Sequence, residues 1–458
     1  MRLFSAGRPV LPVRLRSGAA AVVAAGLLTT GLAAPAFADD EPQTDQLWIN
    51  APYEQTLLTG TDGGQPQSRT LGVGIYHDNQ SFPVTDGRVT VDVSGLAGVA
   101  EVTWPDNCAP SGTRAVCDIP VVPTMGRDYE AQVLLTVRAA DGADVGARGS
   151  VTYEATATGG PDGTLTAPHG SFETRLTVGA GPDLVIAPVA AIEDVRPGDE
   201  RTIPFKVTNH GNRNANGVVV KLSASYGLTD LTRYDACVST TTDGEDYAPT
   251  HRAVCVFDQV LAPGDSFELP GPPVVRLAPH ALNERFDIGV EPGDGAEDID
   301  HANDYTVVQI HAKNTADFSV AGDTLSAAAG GTATARLTFV NNGPAWIGDL
   351  VSGDPVARVR LIVPEGTSVT GVPSGCYPRT LDGDSYPSRT GAPRYDCALP
   401  YWVLEDTRHT LAFSVRVDTV VPGAAGAVSI HPAYGEFGTY PFGFDPDLTN
   451  NTAVLTVN

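Results

Sequence analysis

The sequence predicts an all-β chain, a tandem array of three antiparallel β-sandwiches after a cleaved export signal, and three observations predict it. A cysteine opens an alternating apolar run three times, with a turn residue nine positions later: Cys117 to Gly126, Cys255 to Gly264 and Cys397 to Asp406. Each has one earlier companion, Cys108, Cys237 and Cys376, and recurrence of this kind marks a modular array. Apolar residues alternate with a period of two in Val89, Val91 and Val93, and again in Leu411, Phe413, Val415 and Val417. A strand with one apolar face needs a second sheet against it, which gives a sandwich of roughly seven strands. Finally, 49 glycines and 36 prolines in 458 residues, well above the roughly 12% of average usage, leave no long window for an amphipathic helix.

Residues 1–38 read as a signal peptide. Arg2, Arg8, Arg14 and Arg16 form a positive n-region, and an apolar stretch runs from Ala19 through Leu28 to Ala34. Ala36-Phe37-Ala38 supplies the small residues a signal peptidase reads, so cleavage is expected after Ala38. An uncleaved anchor needs about 20 apolar residues, and Gly26, Thr29, Thr30 and Gly31 interrupt this one. With no second hydrophobic span, the mature chain is expected to lack a transmembrane segment and to be secreted, with cell-wall association left open. The chain carries 29 basic and 54 acidic residues, a net charge of −25, and loss of the four signal arginines takes it to −29. Such a field repels phosphate backbones and argues against nucleic acid as a partner. It suits cations, basic protein surfaces or plain dispersal of an acidic extracellular protein.

The mature length exceeds one hydrophobic core. Boundaries are expected near Gly181 and Asn314, dividing the chain into sandwiches at 39–180, 181–313 and 314–458. The second and third align best: IPFKVTNHG after Pro197-Gly198-Asp199 matches ARLTFVNNG after Ala329-Gly330-Gly331, and Asn209 and Gly211 match Asn341 and Gly343 at a constant offset of 132 residues. Asn and Gly tolerate left-handed backbone angles, which accounts for that choice at a strand end. Another strand follows, Val218 to Leu222 or Val359 to Val363, and then the cysteine segment. Both units close on an Asp-x-Asp-x-x-Asn string, Asp298-Asp300-Asn303 or Asp445-Asp447-Asn450, before a final strand. The first unit is divergent. It keeps Asn79, Gly87, the cysteine pair and VLLTV at Val133 to Val137, but has lost the paired acids.

PGDERTIPFKVTNHG, the Cys…Cys segment, the APGDSFEL turn and the closing DPDLTNNTAVLTV resemble the conserved-repeat, cell-adhesion-related immunoglobulin-like domains of bacterial secreted and surface proteins. The resemblance covers the second and third units and, loosely, the first. It implies an extracellular immunoglobulin-like β-sandwich in a binding or spacer role, with no shared catalytic residues to carry across.

Six cysteines in an exported chain are expected to pair. Of fifteen connectivities, one pair per repeat selects Cys108–Cys117, Cys237–Cys255 and Cys376–Cys397, each stabilising its sandwich by roughly 3 kcal/mol in the chain-entropy model. Two of the disulfide loops hold a related string, Asp243-Gly-Glu-Asp-Tyr247 and Asp382-Gly-Asp-Ser-Tyr386. An Asp-Gly pair makes a tight turn; the functional alternative is a projecting recognition loop with tyrosine as the contact residue. The closing strings Asp298, Asp300, Asn303 and Asp445, Asp447, Asn450 offer oxygens of the kind Ca2+ takes, against the competing reading of an Asx turn before the last strand. Neither fits the twelve-residue calcium loop.

Enzyme motifs are missing: there is no GxSxG, HExxH or GxxxxGK, and the nine histidines have no ligand spacing. His409 falls where Tyr129 and Phe267 stand in the other copies, which points to a part-buried structural role. The expected function is therefore a secreted non-catalytic protein, binding an extracellular partner or acting as a spacer, with no cofactor. The alternative is a carbohydrate- or cell-wall-binding accessory module, for which Trp104 and Trp346, near turns, are the candidate sugar platforms and Trp402 reads as core. A secreted hydrolase is the remaining alternative.

Overall fold

A computed structural model describes residues 44–61, 64–125, 130–167, 173–242, 248–433 and 442–458. The signal segment, Gly126, Tyr129, Asp243 and Tyr247 lie outside the described residues. Asp45–Asn458 form one compact unit. Among the described residues the regular structure is strand, with only short 3-10 turns such as Leu448–Asn451 besides, and no helix is long and apolar enough to cross a membrane.

One six-strand order occurs three times. Near the N-terminus the sheet runs Glu54–Leu58, Glu173–Gly179, Arg148–Gly159, Val84–Asp92, Arg114–Val121, Cys108–Ser111. Midway it runs Ile192–Val195, Tyr305–Ala312, Asn283–Pro292, Ala215–Ser225, Thr250–Leu261, Cys237–Thr242. In the last copy it runs Thr324–Leu325, Thr452–Val457, Ala424–His431, Arg358–Ile362, Arg394–Ala398, Cys376–Arg379. In every copy the short early strand lies parallel to the last strand, and the remaining pairs are antiparallel. The chain is a tandem array of immunoglobulin-like sandwiches. The divergence of the first copy is in its sequence, not its strand order.

The opposing layer is a four-stranded sheet in the first and third copies; in the third it comprises Ala316–Ala321, Thr332–Pro344, Arg408–Val417 and Thr367–Gly371. In the second copy the same layer is broken across its middle. Glu200–Thr202 and Val207–Asn209 replace one long strand, and Ser266–Phe267 and Val274–Leu277 replace another. Pro204 lies in the first gap and Pro270, Pro272 and Pro273 in the second, where no N–H is available for a ladder. Within IPFKVTNHG only Val207–Asn209 is therefore strand, and Glu200–Thr202 is a separate piece before it.

Period-two alternation delivers one large hydrophobic cluster between each pair of layers. Val89, Val91, Leu135 and Tyr153 fill the first, Val220, Phe286 and Ile288 the second, and Phe339, Tyr395, Phe413 and Val415 the third. The cysteines pair as Cys108–Cys117, Cys237–Cys255 and Cys376–Cys397. Each bridge joins directly opposed residues on the last two strands of the large sheet, so it pins an edge strand and does not bolt the two layers together. Gly264 and Asp406, nine residues beyond the second cysteines, both hold left-handed backbone, with φ of 87° and 57°.

Asn209 and Asn341 correct one reading. Their backbones are not in the left-handed region; the buried amide side chain is what the position requires. Asn209 donates to the carbonyls of Arg213 and Leu261 and accepts from the amides of Asp183 and Gly211. Asn341 repeats this with the carbonyls of Ala345 and Leu404 and the amide of Gly343. A buried chain reversal leaves backbone groups that must be paired, and one amide serves several of them.

Candidate functional site

The acidic strings act as clasps. Asp298 accepts the amides of Leu184 and Asp300 at 2.7 and 3.0 Å, and Asp445 accepts those of Phe318 and Asp447 at 3.2 and 3.0 Å. Asn303 donates to Asp183 and Asn450 to Asp317. In the second and third copies the closing string thus ties the start of the last strand to the aspartate that opens the first. Those opening aspartates are the partners that sequence reasoning missed. Their signal was the acid before an apolar residue at each start, Asp183-Leu-Val and Asp317-Phe-Ser. Burial raises the Asp298 carboxyl above its ordinary value, the two amides partly opposing it.

No three His, Cys, Asp or Glu side chains converge in a metal-holding group among the described residues. The Oδ1 atoms of Asn303 and Asn450 are buried without a partner, but one such oxygen falls far short of the roughly six to eight that calcium takes. The melting midpoint is expected to move less than about 1 °C between millimolar calcium and chelator, whereas a site saturated at 100 times its Kd would add about 2.7 kcal/mol. A rise of several degrees would show that the clasps do bind the ion.

Of the two candidate recognition loops, Asp243 and Tyr247 are not among the described residues. The other is a tight hairpin closed by Thr380 and Asp384. Asp382 is exposed at its tip, while Tyr386 turns back and packs against the third core.

The strongest concentration of interactions lies where the second and third sandwiches meet. Trp346, near a turn in sequence and a candidate sugar platform there, is 1% exposed. Its indole donates at 2.7 Å to Glu284, a fully buried carboxylate that also accepts the amides of Gly227 and Leu282 and the hydroxyl of Ser225. Tyr226 packs edge-on against Trp346 and stacks on His280 at 4.1 Å, and both reach Glu405. Burial drives the Glu284 carboxyl upward, with its four donors opposing that shift. Trp104 and Trp402 are half-buried, and Trp48, which sequence reasoning passed over, is 36% exposed. His409 is half-buried against Phe339, and its burial lowers its pKa, an environment suited to packing.

The junction of the first and second sandwiches is cross-linked too. Arg69 forms ion pairs with Asp183 at 2.6 Å and Asp300 at 3.0 Å. Asn212, 1% exposed, donates to the carbonyl and hydroxyl of Thr59 and accepts the amide of Gly181. Two clefts flank the other junction. One, about 740 Å³, is largely apolar, with Ile347, Pro355, Phe442 and Phe444 in its wall. The other, about 650 Å³, lies on the outer face of the second large sheet beneath Leu350 and Val351.

No family model and no curated protein matches this chain. Solved structures that it resembles include an I-band fragment of titin (8% identity over 91% of this chain and 98% of that one, TM-score 0.18). The N-terminal four Ig domains of Dscam1 isoform 4.4 match at 9% over 91% and 100%, TM-score 0.23, and the Escherichia coli adhesin FdeC at 11% over 90% and 96%, TM-score 0.19. At these scores the likenesses carry no argument, and the strand order described above is what defines the fold.

Proposed function

We propose that the chain is a secreted, non-catalytic extracellular protein whose three sandwiches, at 39–180, 181–313 and 314–458, form a stiff mount for binding a partner or spacing one surface from another. The observation that carries this reading is the cross-linking at both junctions. Arg69 and Asn212 tie the first sandwich to the second, and Trp346 inserts its indole onto a carboxylate of the second from the third. Flexible tethers between domains ordinarily have small polar interfaces; buried, hydrogen-bonded groups at a junction favour one fixed arrangement. Three disulfides with no free cysteine favour an oxidising compartment.

Expression of the full precursor is expected to release a protein starting at Asp39 into the medium. Small-angle scattering of that protein should fit a single conformation, and Arg69→Ala combined with Asn212→Ala should broaden the fit to an ensemble. Retention inside the cell with residues 1–38 intact would refute secretion. A wild-type ensemble as broad as the double variant's would refute the stiff mount.

A further inference from the structure

The outer face of the second large sheet carries a feature that neither the cores nor the junctions use. Leu222, Ala224, Ala253, Phe286 and Ile288 point inward and are buried, so alternation sends Lys221, Ser223, Arg252, Arg285, Asp287 and Gly289 outward. The register aligns them in rows across the sheet: Tyr305 opposite Gly289, Gly289 opposite Lys221 and Lys221 opposite Val254. Beside that row, Ser223 lies between Asp287 and Arg252. Because Gly289 has no side chain, the face sinks between Tyr305 and Lys221, and the Leu350–Val351 loop of the third sandwich walls the depression into the basin of about 650 Å³.

The groups around it are set in place. Arg285 donates to Asp287 at 2.6 Å, to the Tyr305 hydroxyl at 2.5 Å and to the Leu350 carbonyl at 2.8 Å. Tyr305 also bonds to Asp287. Its hydroxyl is therefore occupied, while the residue stays 49% exposed and offers a ring held in one orientation. Lys221 is paired with Glu291 and Arg285 with Asp287. Arg252 has no ion pair among the described residues, and it stands directly opposite the Ser223 hydroxyl.

We infer that this basin binds an oligosaccharide carrying isolated carboxylates, with Tyr305 stacking on a pyranose ring and Arg252 taking a carboxylate. This rests on the reading of the chain as an extracellular binder and names the ligand class. A shallow depression that sets apolar surface from Val254, Leu350 and Val351 beside a fixed aromatic ring, hydroxyls and charged groups suits a sugar, whose ring has an apolar face and a polar rim. Tyr305 and Arg252 stand three strands and two residues apart, roughly 16 Å at about 4.8 Å per strand and 3.4 Å per residue, which calls for an oligomer. The Arg252 guanidinium, without an ion pair among the described residues, selects a carboxylate by charge-assisted hydrogen bonds. The protein's net charge of −25 works against a dense polyanion, so the acidic groups on the ligand must be sparse.

The test titrates the mature protein with a hexasaccharide of alternating glucuronate and N-acetylglucosamine, with the same hexasaccharide after reduction of its carboxyls, and with hexaglutamate. Arg252→Gln and Gly289→Leu are the variants. Arg252 is exposed, and a Cβ on Gly289 would sit 3.7 Å from the Tyr305 ring and 3.9 Å from Lys221, so both should fold, as unchanged melting would verify. The wild type should bind the acidic sugar about tenfold more tightly than the reduced one. Arg252→Gln should erase that preference and leave the reduced sugar's affinity unchanged, while Gly289→Leu should weaken both sugars at least about tenfold. No saturable binding of either sugar at millimolar concentration would overturn the assignment. So would unchanged binding in folded Gly289→Leu, or binding of hexaglutamate in place of the sugars. Binding with cleavage of the sugar would support the basin and overturn the non-catalytic reading; a stiff wild type with no sugar binding would do the reverse.

Discussion

Trp346→Ala is expected to destabilise the mature protein by about 3–5 kcal/mol, the range for deleting a large buried aromatic side chain. Two effects combine. The indole fills the space between Tyr226 and the third sandwich, and its N–H is one of four donors on the buried Glu284. Trp346→Phe separates them, because it keeps most of the packing and removes only the donor, at a cost of about 1–3 kcal/mol. Urea denaturation followed by circular dichroism gives both values. Scattering of the alanine variant under native conditions should also show the second and third sandwiches moving apart. A loss below about 1 kcal/mol for the alanine variant, less than the smallest cost of leaving a buried polar group unsatisfied, would mean that the junction is not held by this residue.

Asp396→Asn should cost a similar amount, about 3–5 kcal/mol, for a different reason. Arg394 and Asp396 are both buried beside the third disulfide and meet at 2.6 and 3.1 Å, with Arg360 a further donor at 2.9 Å. An asparagine leaves the Arg394 guanidinium out of water with no compensating charge. The double replacement Arg394→Met with Asp396→Leu removes both charges and should be milder than the single change. Burial alone would raise the Asp396 carboxyl; hydrogen bonds from Arg394 and Arg360 outweigh it, and the net shift is downward from 3.8. The carboxylate therefore stabilises the fold at any pH above about 3.8, the unfolded value, and that contribution disappears as pH falls through the lower folded value. Asp396→Asn should flatten the acid limb of the stability curve in that window. An acid limb identical to wild type would show that the pair does not titrate with folding.

The first unit was legible as a copy of the repeat because Cys108, Cys117, Gly87 and the alternating valines survive in it, even though its closing acids do not. The break in the second copy's smaller sheet was legible in principle from Pro204 and Pro270-Gly-Pro-Pro273, since proline removes a ladder donor whatever the context. Asn209 and Asn341 were picked out correctly as a repeated position, but the cause was assigned to backbone freedom; only the folded chain reveals the carbonyls and amides that their side chains meet. Trp346 shows the sharper limit. Its neighbours in sequence, Gly343, Pro344 and Gly348, are those of an exposed turn, while its neighbours in space, Tyr226, His280 and Glu284, lie some sixty or more residues earlier.

The sequence by itself determined what depends on local chemistry and recurrence: an all-β array, a cysteine pair in each copy, turns at Gly264 and Asp406, and an acidic chain. These follow from alternation, from glycine and proline, and from spacing, which act within a few residues along the chain. Tertiary structure alone decided which of those surfaces stay exposed. It turned the acidic strings into clasps, buried Trp346 on Glu284 between sandwiches, and brought Tyr305, Gly289 and Arg252 to one basin, because burial and strand register are fixed by neighbours far away in sequence.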